Sequence, residues 1–440
     1  MATAAGAVAS GKEDSLSFAR RLQEVREGFQ PAFWVANGTE LFERLSYYGV
    51  QAVLAIYLHE TLRFSEARAG DLIGYFGGVV WFLPIVGGAL ADRFGFRRSL
   101  AFAYLVLALG YFLLGSLAAP WMAPLRNSLP LDKVVLLILM VPALGPAIVK
   151  PCVVGTTARA STENVRSLGY SIYYTLVNVG GMLGPIVAFF VRRTIGIENV
   201  FRVCAVSVLL MFFATVLFFR EPTQSGEKQV ASVAQALKNM FVVLGNLRFM
   251  LFLVIFSGFW VMFWQEFIAL PLYIRGYVNP NYDVDLLLSI DPLAVILFQI
   301  AVSYLTRKIP VFPAMTLGTL ITSLSWLLLS FGASTSLFVT ALVVLALGEM
   351  TQSPRYYEYV SRLAPPGQQG TFMGYSFLPI AIGFVVAGKI GGRLVHYFGE
   401  VLHRPRQMWW VISAIGLLTT LLMCIYNRVV KPAEAPPPAG

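Results

Sequence analysis

The chain has 440 residues, of which 57% are hydrophobic and only 13% are charged, with a formal net charge of +10. A soluble protein carries about 25% charged residues, so this composition excludes a water-soluble globule. The positive charge does not indicate nucleic-acid binding, because the basic residues lie mainly in short loops and form no compact patch with interleaved aromatic residues. The composition predicts a bundle of helices in lipid, where backbone groups pair within each helix.

The first 30 residues are polar and of mixed charge, and they contain no apolar core of the kind found in a secretory signal. Beyond them, apolar runs of about 20 residues, the length that crosses a bilayer, recur along the chain. The pattern predicts twelve spans, at about 31–58, 70–91, 99–119, 133–156, 168–191, 201–219, 249–274, 286–306, 311–332, 336–360, 370–391 and 407–427.

An even number of spans places both termini on one side of the membrane. The loops on that side carry more of the 33 lysine and arginine residues than the opposite loops, so the positive-inside rule places both termini in the cytoplasm. We expect an integral, multi-pass protein of a bacterial inner membrane that functions as a monomer.

The longest polar interruption, 220–248, divides the spans six and six. Within it, apolar residues at helical spacing predict an amphipathic cytoplasmic helix at 230–244. Two six-helix halves are typical of transporters whose halves rock around a site at the membrane midplane. The expected organisation is a cytoplasmic segment at 1–30, halves at 31–219 and 249–427 on either side of the linker, and a disordered tail at 428–440.

The loop between the second and third spans reads Gly87-Gly88-Ala89-Leu90-Ala91-Asp92-Arg93-Phe94-Gly95-Phe96-Arg97-Arg98. Its glycines allow helices to approach closely, and an aspartate beside an arginine can cap and pair at the membrane edge. The string resembles the loop motif of the major facilitator superfamily. The resemblance implies a role in gating and stability, not in substrate binding, for Gly88, Asp92, Arg93, Arg97 and Arg98.

The first span contains Glu40, Glu43 and Arg44, which share one helix face because of their i, i+3, i+4 spacing. A charge in the bilayer interior costs about 3 kcal/mol on insertion scales, so such residues usually pair and serve a function. Two carboxylates beside one guanidinium suit proton coupling, because protonating a glutamate frees Arg44 for an anionic group of a substrate. The alternative is a structural ion cluster that locks the bundle.

Lys150 in the fourth span needs an anionic partner, and the glutamate pair of the first span is the expected one. Pro151 beside it loosens the helix and frees a backbone carbonyl. In the tenth span Glu349 and Ser353 lie one turn apart, where the carboxylate could receive an amine. The alternatives are a lysine that extends to the membrane edge and a hydrogen bond between helices.

The seventh span contains Trp260 and Trp264 one turn apart, followed by Glu266. The tryptophans either wall a pocket or pack against a neighbouring helix, and Glu266 is a candidate second proton carrier. The eighth span adds Asp291, an ionisable group beside the helix-breaking Pro292.

The two halves therefore carry opposite poles. Arg44 and Lys150 lie in the N-terminal half, and Glu349, with Glu266 as a possible second acid, lies in the C-terminal half. A zwitterion with a separated carboxylate and amine, such as a short peptide, matches that polarity.

Four motifs resemble those of the proton-dependent oligopeptide transporter family. The first span carries Glu40-x-x-Glu43-Arg44-x-x-Tyr47-Tyr48-Gly49, and the fourth carries Lys150-Pro151. The fifth carries Gly169-Tyr170-Ser171-Ile172-Tyr173-Tyr174 with Asn178-Val179-Gly180, and the tenth carries Gly348-Glu349, Ser353-Pro354 and Ala364-Pro365. The resemblance implies the all-α, twelve-helix fold of the major facilitator superfamily and the symport of protons with di- and tripeptides.

Residue roles follow from the resemblance together with the residues above. The expected proton-coupling residues are Glu40, Glu43, Arg44, Lys150 and Glu266. The expected substrate-binding residues are Arg44, Tyr48, Tyr75, Lys150, Asn178, Trp260, Asp291, Glu349 and Ser353.

Several positions depart from the family pattern. Gln51 stands where a second basic residue is usual, Cys152 replaces an asparagine, and Asp291 replaces the asparagine of Asn-Pro. Trp264 stands where a glutamate is expected, with Glu266 displaced by two residues. One positive charge fewer and one negative charge more should weaken carboxylate capture. The alternative function is proton-coupled transport or export of another small amphiphilic or anionic solute.

Other classes of protein fit the sequence poorly. The three histidines, His59, His396 and His403, lie in outer loops or at span edges, without paired metal ligands or a serine elbow. The sequence therefore predicts no enzyme and no cofactor other than the coupling proton, and acids in two halves suit alternating access better than an open pore. The cysteines in apolar runs, expected to be small buried residues, are Cys152, Cys204 and Cys424.

Overall fold

The computed structural model describes residues 27–85, 94–222, 243–364 and 369–430, and these are helical apart from short loops and one isolated bridge. The long helices are numbered in chain order. They are α1 (Pro31–Ile56), α2 (Glu66–Phe82), α3 (Phe96–Ser116), α4 (Leu131–Arg159), α5 (Arg166–Ile195), α6 (Ile197–Phe218), α7 (Leu247–Phe263), α8 (Ile290–Thr306), α9 (Val311–Leu328), α10 (Thr335–Leu363), α11 (Leu378–His396) and α12 (Met408–Val429).

Each of these helices coincides with one predicted span, so the all-α, twelve-span prediction is confirmed. Among the described residues, ten helical segments are long and apolar enough to cross a membrane. The other two long helices are α1, which carries the charged residues of the first span, and α2, which has 17 residues.

Some predictions concern residues outside the described ranges. They are the segment 1–26, the loop residues Gly88, Asp92 and Arg93, all but the last two residues of the amphipathic helix at 230–244, Pro365 and the tail from residue 431. The predicted start of the tail lies two residues too early, because α12 continues to Val429.

The two halves repeat one packing pattern. In the first half, α1 packs on α5, α2 on α4, and α3 on both α4 and α6. In the second half, the corresponding helices pair in the same way: α7 with α11, α8 with α10, and α9 with both α10 and α12. Between the halves α2 packs along α11 and α5 packs along α8, so an internal repeat surrounds a central interface, as expected for a rocking transporter.

Polar side chains fix where several helices begin. The side chain of Ser65 accepts the backbone N–H of Arg68 at the start of α2, and Asn246 accepts that of Phe249 at the start of α7. Such N-caps satisfy backbone donors that the first turn of a helix leaves without partners.

The seventh span is not one continuous helix, contrary to the prediction. A 3₁₀ turn at Trp264–Glu266 interrupts it, and a second helix runs over Ala269–Tyr277. Gln265 holds the break, because its side-chain amide donates to the carbonyl of Val261 at 3.0 Å and to that of Ala387 in α11 at 3.3 Å. A hydrogen bond to a distant helix leaves no periodic signal in the sequence.

Glycines bring the helices around the centre close together. A Cβ on Gly180 of α5 would lie 2.6 Å from the carbonyl oxygen of Leu41 and 2.7 Å from the Cβ of Arg44 in α1. A Cβ on Gly392 of α11 would clash with the carbonyl oxygen of Glu66 in α2. Small residues at helix crossings allow this contact between backbones.

Candidate transport site

The charged face of α1 lies in the interior of the first half. The side chains of Glu40, Glu43 and Arg44 are almost fully buried. Arg44 Nε lies 3.3 Å from a carboxylate oxygen of Glu40, and the guanidinium also binds Glu43 directly. The ring of Tyr47 lies 5.2 Å below the guanidinium. The structure therefore brings these three charges together as one ion cluster.

Lys150 of α4 lies beside this cluster but is held differently from the prediction. Its ammonium lies 3.7 Å from the ring centroid of Trp81 in α2, and it interacts electrostatically with Glu40 and Glu43. The expected direct pairing with the glutamates is replaced by a cation–π contact, because Arg44 already binds both carboxylates.

Three carboxyl groups form an acidic cluster in the second half. Glu266 and Asp291 are buried, Glu349 is half-buried, and the three groups interact electrostatically with one another. Both carboxylate oxygens of Glu266 and one of Asp291 have no hydrogen-bond partner among the described residues. Asp291 lies in the first turn of α8, where the helix dipole favours a negative charge.

The acidic cluster was not predicted as a unit. Glu266 is the last residue of the 3₁₀ turn that interrupts the seventh span, and no periodicity in the sequence marks that break. The sequence predicted Glu266 as a possible partner of Glu349 in the acidic pole and as a possible proton carrier, but it did not predict that Asp291 lies with them.

Two tyrosines of the first half face the acids of the second half. Tyr48 of α1 and Tyr174 of α5 both interact electrostatically with Glu349 and Asp291. Asn178, one turn after Tyr174, donates its side-chain amide to the carbonyl of Tyr174 at 2.9 Å. Two further tyrosines were missed by the sequence analysis: Tyr173 interacts with the ion cluster of α1, and Tyr357 interacts with Glu349.

An aromatic layer connects the halves at the level of Lys150. The ring of Trp264 stacks on Phe384 of α11 at 4.0 Å and lies 6.0 Å from Trp81 of the first half. Trp260 lies 6.1 Å from Trp264 and packs its Cβ against Gly383. Of the two predicted roles for these tryptophans, packing against a neighbouring helix is the one that the contacts indicate.

Three other predicted or discussed positions have local partners. The ring of Tyr75 lies 6.0 Å from the ammonium of Lys389 in α11, so Tyr75 belongs to the α2–α11 interface. Ser353 accepts a hydrogen bond from Gln352 at 2.8 Å. Gln51, at the position where a basic residue is usual in the family, is buried and donates to the hydroxyl of Tyr47 at 2.9 Å.

Ion pairs close the interface between the halves on the side opposite the termini. Arg275 binds Glu60 through two hydrogen bonds of 2.8 and 2.6 Å. On the same side Arg393 of α11 binds Asp71 of α2 at 2.6 and 3.0 Å. These pairs were not predicted, because the sequence does not show which carboxylate of the other half each arginine meets.

A second group of pairs joins α5 to the segment before α8. Arg192 binds the fully buried Asp285 at 2.7 and 2.9 Å, and both Arg192 and Arg193 bind Asp283. Hydrogen bonding by Arg193 holds the pKa of Asp283, which lies in the loop, below its ordinary value. The 39% exposure of Tyr174 shows that solvent reaches the interior beside Glu349.

The described part of the loop after α2 binds the end of α6. The backbone N–H of Arg97 donates to a carboxylate oxygen of Glu221 at 2.8 Å, and its guanidinium binds the carbonyl of Val216. Arg98 is exposed. These contacts tie α3 to α6 within the first half.

The cysteines differ in their surroundings. Cys152 and Cys204 are buried as predicted, but Cys424 is exposed on the outward face of α12, so its prediction as a buried residue was wrong. The outward face of a membrane bundle is apolar because it contacts lipid, and sequence hydropathy does not distinguish that face from the core.

Comparisons with known proteins place this arrangement in context. The family model described as "Major Facilitator Superfamily" matches residues 39–279 and 267–440. The chain is 29% identical over 238 residues to "Peptide transporter 3" of Caenorhabditis elegans. This alignment covers 50% of this chain and only 33% of that protein. It is 20% identical over 392 residues to "Multidrug resistance protein MdtH" of Salmonella newport (strain SL254), covering 86% of this chain and 90% of that protein.

Solved structures of transporters have the same fold. The POT family transporter PepTSo superposes with a TM-score of 0.73 at 18% identity, covering 92% of this chain and 99% of that chain. The nucleoside transporter NupG superposes with a TM-score of 0.72 at 12% identity, covering 90% of this chain and 99% of that chain. At these identities the likeness shows the fold alone.

Proposed function

Since this chain belongs to the Major Facilitator Superfamily and is a multi-pass secondary transporter, not an enzyme, we propose that it moves short peptides together with protons by alternating access. The observation that carries the proposal is the buried cluster of α1, in which two carboxyl groups compete for Arg44. The peptide transporter of Caenorhabditis elegans and the POT structures among its relatives support peptides as the cargo.

Proton coupling follows from the competition for Arg44. In the unprotonated state Glu40 and Glu43 both neutralise the guanidinium. Protonation of Glu43 removes one of these charges, so the donors of Arg44 become available to the carboxylate of a substrate. Proton release on the other side restores the pair and displaces the substrate carboxylate. Because binding linkage is reciprocal, proton and substrate each favour the binding of the other.

The peptide would lie between the two poles of the interior. Its carboxylate would approach Arg44 and Lys150, whose ammonium lies against the ring of Trp81 and forms no ion pair with a described carboxylate. Its amine would approach Glu349, which faces Tyr48. Asn178 and Ser353 are proposed to contact the peptide between these poles.

Alternating access would require the ion pairs opposite the termini to break and re-form. We retain the proposal that the termini lie in the cytoplasm, so that the closed side is the outer side of the membrane. A proton gradient directed inward would then load the site from outside and release it inside. In each transport cycle the ion pairs of Arg192 and Arg275 would break, and contacts between the two halves would form on the side of the termini.

A second candidate function is the transport or export of a cationic amphiphile. The observation that favours it is the imbalance of charge in the interior. The second half contributes three carboxyl groups, whereas Arg44 of the first half is already bound to Glu43 and Gln51 carries no charge. The multidrug resistance protein, which aligns along most of the chain, supports this candidate.

Replacing Glu43 with glutamine tests the coupling residue. In proteoliposomes, Glu43→Gln should abolish accumulation driven by a pH gradient but retain counterflow of labelled dialanine, because binding and rocking remain while the proton carrier is lost. Glu163→Gln, a change of the same kind in an exposed loop, is the matched control and should retain both activities. Uphill uptake by Glu43→Gln would contradict the assignment.

A further inference from the structure

A cavity of about 710 Å³ lies outside the transport site, in the second half of the molecule. Its walls come from the helix Ala269–Tyr277, the loop between α9 and α10, and the loop between α11 and α12. These segments lie on the side opposite the termini, because α12 begins there and runs back toward the C-terminus. The volume is in the range of ligand pockets, about 300 to 1,000 Å³.

The lining of this cavity is basic. The loop before α12 contributes His403, Arg404 and Arg406, and none of the described lining residues is acidic. Arg404 and Arg406 are exposed, and no ion pair joins either of them to a described carboxylate. By contrast, Arg275 and Arg393 on the same side are each bound to a carboxylate.

Two helices begin at this cavity and add to its positive potential. Ala333 lies just before the N-cap of α10, and Gln407 lies just before α12. The N-terminal end of a helix carries a partial positive charge and backbone N–H groups that suit an anion. The basic loop is held in place, since the backbone N–H of Arg404 donates to the carbonyl of Phe398 at 2.7 Å.

Apolar side chains flank the basic residues. Trp410, which lines the cavity, is 56% exposed, and Phe331 in the loop after α9 is 69% exposed. Exposed aromatic residues at the ends of membrane helices are typical of the level of the lipid headgroups. A ligand at this position would meet cations on one side and an apolar surface on the other.

We propose that this cavity is a binding site for a phosphate-bearing anion, bound by Arg404 and Arg406. The flanking Trp410 favours the headgroup of an anionic phospholipid as the source of the phosphate, with free phosphate as the other source. An arginine guanidinium presents a fork of N–H donors that matches the oxygens of a phosphate, whether the phosphate is free or part of a headgroup. The site is separate from the transport site and does not depend on the cargo.

Native mass spectrometry of the full-length protein in detergent tests the site directly. The protein is titrated with phosphatidylglycerol and, in parallel, with phosphatidylcholine, while inorganic phosphate is tested by its effect on the melting temperature. In Arg404→Gln/Arg406→Gln the affinity for phosphatidylglycerol should fall by about 25-fold, since each basic residue near an anionic surface is worth about fivefold. Binding of phosphatidylcholine should be unchanged.

The matched control is Arg126→Gln/Lys133→Gln, which removes the same charge from the same side of the first half. It should retain the affinity of the unmodified protein. If the test variant loses binding of phosphatidylglycerol but keeps stabilisation by phosphate, the site binds a lipid headgroup. If it loses stabilisation by phosphate but keeps binding of phosphatidylglycerol, the site binds the free anion. If the test variant binds phosphatidylglycerol and phosphate as well as the unmodified protein does, the proposal is overturned. If the double variant does not fold, each single variant should show a loss of about fivefold.

Discussion

Replacing Asp285 with asparagine would weaken the closure of the two halves on the side opposite the termini. Asp285 is fully buried and binds Arg192 through two hydrogen bonds of 2.7 and 2.9 Å. Without its charge, Arg192 retains only Asp283 as an ionic partner among the described residues. We expect the closed state to lose about 2 kcal/mol, a typical contribution of hydrogen bonds to charged groups.

A loss of about 2 kcal/mol changes the ratio of closed to open molecules by about thirtyfold. An open state populated at about 1%, as is usual for a minor state a few kcal/mol higher, would rise to about one quarter of the molecules. Double electron–electron resonance between spin labels at Ile195 and Val401, both exposed, measures this change. The labels are introduced in a Cys424→Ser background, since Cys424 is exposed.

Asp132→Asn is the matched control for this experiment. Asp132 pairs with Arg68 on the same side, but both residues lie in the first half, so this pair does not hold the halves together. The control should leave the distance distribution unchanged. A distribution for Asp285→Asn that equals the unmodified one, or an equal shift in the control, would refute the role of the pair.

The remaining predictions concern the same interface and the acidic pole. Arg193 lowers the pKa of Asp283. The ion pair of Asp283 should therefore contribute fully to closure above the ordinary aspartate pKa of about 4, and this contribution should be lost only at lower pH. The same distance measurement, repeated against pH, checks this. Gly392→Val should lower the melting temperature, because overpacking costs about 1 to 3 kcal/mol where the new Cβ meets the carbonyl of Glu66. Glu349→Ala should weaken competition by dialanine but not by N-acetylated dialanine; equal losses for both would contradict amine recognition.

The positions of the helices could be predicted because hydropathy is a local property. Each span needs a run of apolar residues, and the runs end at polar loops, so the ends agree to within a few residues in most cases. The cluster of Glu40, Glu43 and Arg44 could be predicted equally well, since residues three and four apart lie on the same face of a helix.

Features that depend on contacts between distant segments could not be predicted from the sequence. The break before Glu266 depends on a hydrogen bond from Gln265 to α11, and the contact of Lys150 with Trp81 depends on the crossing of α2 and α4. The sequence also gave no means of choosing partners for Arg192 and Arg275 among the carboxylates of the other half. These features follow from tertiary packing, which a one-dimensional pattern does not specify.

Uptake of radiolabelled dialanine by proteoliposomes with an inward proton gradient tests the central claim most directly. Our account predicts accumulation above the external concentration that collapses when a protonophore dissipates the gradient. No gradient-dependent accumulation, by protein shown to be folded, would contradict peptide symport and favour the cationic or other solute as the cargo.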